Sequence, residues 1–163
     1  MGTKIIVRGA DFSANAVSQS PNYVESLIGT SETLWDSAAS SGSNGTYGVL
    51  VPNSGYVSGL RMKSNSNGTV KTTIRVYEKN GDLLRTYDVL PSMIKSGLHE
   101  YTFTSPVPVS ANEVICISGA SGAFTFYYSL SGGDYPVSTS NGSVPDSGWR
   151  IYPFDFILQT ESE

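Results

Sequence analysis

The stretch Thr69-Val70-Lys71-Thr72-Thr73-Ile74-Arg75-Val76-Tyr77-Glu78-Lys79-Asn80-Gly81-Asp82-Leu83-Leu84-Arg85-Thr86-Tyr87-Asp88-Val89 decides the fold class. Ile74 and Val76 alternate with Lys71, Thr73, Arg75 and Tyr77. This is the period of two that lays one face of a strand on a core and leaves the other wet. Asn80-Gly81 suits the positive φ values of a type I′ turn, and Leu83 to Val89 returns as the partner strand. Two registers fit the hairpin. A two-residue loop sets Val76 against Arg85, and a bulged loop sets it against Leu84.

The same pattern extends outward in both directions. Tyr56 to Lys63 puts Leu60 and Met62 on one face and Arg61 and Lys63 on the other. At His99-Glu100-Tyr101-Thr102-Phe103, Tyr101 and Phe103 share a side, with His99 near the strand's start. Pro106 and Pro108 cannot donate to a ladder on both sides, which predicts an edge or crossover segment. Glu113 to Ser118 and Ala123 to Leu130, joined by Gly119-Ala120-Ser121-Gly122, read as a further hairpin. Trp149 to Leu158 closes the body. About eight or nine short strands at this spacing predict an all-β chain, an antiparallel jelly-roll-like β-sandwich spanning residues 46–163.

Residues 1–45 read differently. Ile5 and Val7 fall on one side of an opening strand, and the residues after it show no regular periodicity. Such an arm stays ordered only by lying on something, and Phe12, Tyr23, Leu27, Ile28, Leu34 and Trp35 are the apolar anchors it offers. Ile5, Val7, Phe12, Tyr23 and Trp35 are therefore the candidate assembly residues. The whole is expected to be one structural domain with an irregular docking arm.

Composition narrows the function classes. One histidine, His99, and one cysteine, Cys116, occur among 163 residues. No His-rich metal site, internal disulfide or nucleophile elbow can be built from these, and no Asp-x-Asp-x-Asp-Gly calcium loop is present. No catalytic residue, metal or cofactor is expected. Cys116, in the run Val114-Ile115-Cys116-Ile117-Ser118, is expected to face the core. His99 reads as a hydrogen-bonded strand-end residue.

Leu60 to His99 carries seven basic against three acidic side chains, a net +4, and the remainder carries −8. That split would suit contacts between copies, or simply solvate outward strand positions. The acidic balance, −4 overall, argues against nucleic acid. Apolar runs are far shorter than the roughly 20 residues of a membrane helix, and the opening residues lack the apolar core of a signal peptide. Neither membrane insertion nor ordinary secretion is expected.

Two resemblances follow. The runs Gly59-Leu60-Arg61-Met62, Val76-Tyr77-Glu78-Lys79-Asn80-Gly81, Gly97 to Phe103 and Val109 to Ile117 resemble the jelly-roll sandwiches appended to carbohydrate-active and adhesive proteins. Ile5-Ile6-Val7-Arg8-Gly9-Ala10-Asp11-Phe12-Ser13-Ala14-Asn15-Ala16-Val17 resembles the start of virion and tail-associated proteins of phages and prophages of gut Bacteroides-type bacteria. The likeness implies a non-catalytic virion module that assembles with other virion proteins or with copies of itself, made in the host cytoplasm. The alternative is a carbohydrate-binding module of a secreted or surface glycan-active enzyme.

Chemistry concentrates between Ser131 and Phe154. Asp134, Tyr135, Asp146, Trp149, Arg150 and Tyr152 supply flat aromatic faces with carboxylates and a guanidinium, the groups that hold sugar hydroxyls and C–H patches. These six are the candidate glycan residues, with host polysaccharide as the expected ligand. Trp149 and Tyr152 serve equally well as core and rim residues of the last strand.

Overall fold

The computed structural model describes residues 21–29, 40–43, 45–128, 137–139 and 153–163. Eleven strands and no helix occur among them: β1 (Tyr23–Gly29), β2 (Ser40–Ser43), β3 (Gly45–Leu50), β4 (Gly55–Ser64), β5 (Thr72–Tyr77), β6 (Leu83–Tyr87), β7 (Gly97–Val109), β8 (Val114–Gly119), β9 (Thr125–Tyr128), β10 (Val137–Thr139) and β11 (Phe154–Glu161). They form a four-stranded sheet in the order β1-β11-β4-β7 and a five-stranded sheet in the order β10-β3-β8-β5-β6. β2 and β9 make a two-stranded ribbon. Every pairing is antiparallel. With β2, β9 and β10 set aside, the eight other strands enter the sheets as first-eighth-third-sixth and second-seventh-fourth-fifth.

The two sheets close a single dry interior, making an all-β sandwich. Leu60, Met62, Phe154, Phe156 and Leu158 from the four-stranded sheet share one buried cluster with Val49, Ile74, Val76, Ile115 and Ile117 from the five-stranded sheet. Burying such a side chain contributes about 1.5–3 kcal/mol, so these rows dominate stability. Phe124 and Phe126 stack with centroids 5.5 Å apart, and the edge of Tyr47 packs on both. The alternation anticipated for β4 and β5 holds at Leu60, Met62, Ile74 and Val76, and Tyr101 and Phe103 on β7 are buried together.

Several expectations are corrected. The segment at 23–29, read as part of an aperiodic arm, is the strand β1, fully paired with β11 from Tyr23↔Glu161 to Gly29↔Asp155. Only Ile28 of that strand is buried, so no alternation marks it. β8 and β9 are not a hairpin. β8 has β3 on one side and β5 on the other, so no free ladder remains for β9, which pairs with β2 instead. β11 runs from Phe154 to Glu161, and the anticipated start at Trp149 lies outside the described residues.

In the central hairpin Val76 does face Arg85, but a register shift follows and Tyr77 faces Leu83. The Gly81 amide donates to the Glu78 carbonyl, and the Glu78 amide to Asp82. Gly81 has φ +102° whereas Asn80 does not have positive φ, so the loop is three residues ending in a left-handed glycine rather than type I′. The Asn80 Oδ1 accepts the Asp82 amide (3.0 Å), holding Asn80 in that arrangement.

Cys116 is buried as anticipated, yet on the side away from the main interior. Ile115 and Ile117 take the inward positions, and Cys116 joins Tyr77 and Val114, with Leu50 alongside, in a second apolar cluster. Tyr77, read as an outward residue on a wet face, is therefore only 5% exposed. Gly48 faces Cys116 across the β3–β8 ladder. A Cβ there would collide with the Cys116 Sγ and lie 2.6 Å from the Ile115 carbonyl oxygen.

The sandwich's open side between β6 and β7 carries a clasp. The Arg85 Nη2 donates to the Glu113 Oε2 (2.7 Å) and reaches the Pro108 carbonyl on the opposite sheet (3.4 Å). β7 is an edge strand in the sheet order, as its prolines predict.

Gly48→Ala is expected to destabilise the protein by about 1–3 kcal/mol through overpacking, and Ile74→Ala by about 2–5 kcal/mol through a cavity. Both should appear as lower urea midpoints at unchanged slope. A wild-type midpoint for Gly48→Ala would contradict the tight β3–β8 contact.

Candidate functional site

A cleft of about 710 Å³ lies at one end of the four-stranded sheet. Asn53 and Ser54 from the β3–β4 loop, Tyr56 on β4, Pro108 on β7, Thr160 and Glu161 at the end of β11, and Glu163 beyond it line the cleft. Backbone bonds tie together the loops beside it: the Val51 amide donates to the Glu113 carbonyl (2.8 Å) and the Asn112 amide to Val51 (2.9 Å). The Ala111 amide donates to the Ser54 Oγ (2.9 Å), and Glu113 accepts both the Ser110 amide and Arg85 (2.7 Å each). Asn112 adopts φ +71°, a conformation asparagine tolerates better than most residues.

Tyr56 owes its position to a bulge. Counting in twos from Met62 and Leu60 puts Tyr56 on the core face. A register shift between Val57 and Gly59 reverses the parity, so Val57 is buried and Tyr56 turns outward, 42% exposed. Tyr23 on β1 meets it edge to face, centroids 6.3 Å apart and planes at 84°. The Gln159 Nε2 donates to the Glu25 Oε2 nearby (2.9 Å). The cleft thus combines one held aromatic ring, an amide, two hydroxyls and two carboxylates, and among the described residues no cation lines it. Such a surface suits an uncharged, hydroxyl-rich ligand: C–H patches meet the ring and hydroxyls meet the polar rim.

Of the anticipated residues, Asp134, Tyr135, Asp146, Trp149, Arg150 and Tyr152 lie outside the described residues, as do Ile5, Val7, Phe12 and Trp35. Tyr23 is described, and it is an exposed neighbour of the cleft. Tyr56, Asn53, Ser54 and Thr160 were not anticipated. They come from separated segments, and only the bulge brings Tyr56 out. The available signal was a tyrosine directly after Pro52-Asn53-Ser54-Gly55, at a strand's mouth.

The positive segment does not form one face. Arg61 on β4 binds the buried Asp155 facing it on β11 (2.7 Å), Lys71 pairs with Asp88 (2.9 Å), and Arg85 closes the sandwich onto Glu113. His99 is exposed at the start of β7, where its Nε2 donates to the Ser96 carbonyl (2.8 Å). Among the described residues no group of three or more His, Cys, Asp and Glu side chains is placed to hold a metal. No described helix is long and apolar enough to cross a membrane. No family model, curated protein or solved structure matches the chain.

Burial drives the Cys116 thiol far above its ordinary range, with Arg75 opposing weakly. Because the folded value is the higher one, this group's stabilisation is complete below the ordinary thiol pKa, about 8.5, and declines as pH rises past it. Native protein at pH 8 should accordingly leave a thiol reagent unreacted until denaturant is added. Between about pH 8 and 10 its urea midpoint should fall more steeply than that of Cys116→Ala. Rapid native labelling would contradict the burial.

Proposed function

We propose that the chain is a non-catalytic adhesion module that holds an uncharged glycan in the Tyr56 cleft, and that it is carried on a phage virion or tail. The observation that bears most of this reading is the exposed Tyr56 ring, braced by Tyr23 above a rim of Asn53, Ser54, Thr160 and Glu161. The strand order first-eighth-third-sixth against second-seventh-fourth-fifth favours a jelly roll, two interleaved Greek keys. A binding role is supported by the structural occupations of the two most reactive side chains, His99 tied to Ser96 and Cys116 sealed between sheet and cluster. The virion setting draws on the likeness of Ile5 to Val17 to phage virion and tail-associated proteins. The same cleft would serve a carbohydrate-binding module of a secreted or surface enzyme, a reading the strand order equally favours.

A glycan array with the full chain tests the site. Wild type should retain neutral oligosaccharides, and Tyr56→Ala should weaken the best of them at least tenfold, about 1.4 kcal/mol. Retention by Tyr56→Ala combined with loss in Trp149→Ala would move the site to the 131–154 segment. Wild type that binds no glycan would end the adhesion reading. Antibodies raised against the chain should decorate intact particles if it is a virion component, and a cell-surface enzyme fraction otherwise.

A further inference from the structure

We propose that the outer edge of β1 pairs with β1 of a second copy of this chain, antiparallel and centred on Ser26, so that two four-stranded sheets become one of eight. β1 has β11 on one side, and among the described residues no strand on the other. It is also a sparsely covered strand. Tyr23, Val24 and Leu27 are 42%, 55% and 45% exposed, and of its seven residues only Ile28 is buried. An edge of this kind presents unpaired N–H and C=O groups beside apolar side chains, which is a template for another strand.

The other described edges of the two larger sheets carry protection that β1 lacks. β7 holds Pro106 and Pro108 and leaves its ladder between Thr102 and Val107. β6 carries Arg85 and a register shift, and β10 is three residues long. β1 has no proline and no cation, and its seven pairs with β11 run without interruption.

The strand's own sequence selects the second copy as occupant. A two-fold axis normal to the sheet keeps outward residues with outward ones, so it must pass through a residue rather than between two. Centred on Ser26, all seven residues pair: Tyr23 with the partner's Gly29, Val24 with the partner's Ile28, and Glu25 with the partner's Leu27. Centring on Glu25 would oppose two carboxylates, and centring on Leu27 would leave Tyr23 and Val24 unpaired. The one charge on the strand, Glu25, is already bonded by Gln159. In the Ser26 register it faces an apolar residue, not its like. The pairing does not depend on glycan binding, although it would set two Tyr56 clefts on one continuous face.

Single cysteines in the full chain test the register, since Cys116 is fully buried. Facing Cα atoms in an antiparallel pair lie about 4.5–5.5 Å apart, within disulfide reach. Two Val24 positions would be four residues apart along the strands, roughly 13 Å, and beyond it. Ser26→Cys should give a cross-linked dimer under mild oxidant and Val24→Cys should not. Wild type should sediment as a dimer, with Val24→Lys raising its dissociation constant at least tenfold at unchanged circular dichroism and urea midpoint. A monomeric wild type, equal cross-linking of both cysteine variants, or a dimer indifferent to Val24→Lys would each overturn the proposal.

Discussion

Ile115 and Ile117, fully buried on β8, the middle strand of the five-stranded sheet, share one water-free cluster with Leu60, Met62 and Phe156 of the facing sheet. Polar backbone cannot enter such a gap unpaired, so each strand bordering it must find ladder partners in its own layer. β8 finds two, β3 and β5, and this saturation sends the chain after Gly119 away to β9 and the ribbon with β2. Strand order is thus a consequence of where water is excluded. The loops Asn53-Ser54 and Ser110-Glu113 meet at one end because the strands they join are held in opposite layers.

The outer surfaces of the two sheets differ in kind. On the five-stranded sheet Tyr77, Val114 and Cys116 form a second dry patch, and the Thr46 and Ser118 hydroxyls bond each other at 2.9 Å nearby. On the four-stranded sheet Tyr23, Leu27 and Tyr56 remain open to solvent. A ligand or partner gains most where apolar surface is still wet, as it is around Tyr56 and along β1.

The sequence made the sandwich class legible where strands are buried on one face: β4, β5 and β7 alternate as written in Leu60-Met62, Ile74-Val76 and Tyr101-Phe103. Legibility failed where burial departs from that rule. β1 buries one residue and so shows no period. Tyr77 and Cys116 are dry on the outward face, a property of neighbours far away in the chain. Gly119 to Gly122 is a sound turn signal, but a turn does not say which strand lies alongside, since ladder partners are chosen over long separations. The cleft was hidden for a related reason. Tyr56 lies two pairs of positions from Leu60, and a one-residue bulge, invisible to pattern counting, decides which way its ring points.

β11, residues 154–161, occupies the slot between β1 and β4. A ribosome adding about 5–20 residues per second makes β1 roughly ten seconds before that slot can be filled. Through this interval the nascent chain has no neighbour for β1 in its layer, and the Leu60 and Met62 row lacks the phenylalanines that later cover it. The last strand therefore acts as a latch. Premature termination ahead of residue 154 would remove the middle of a sheet rather than a dispensable tail, leaving an aggregation-prone half-layer for the cell's quality control.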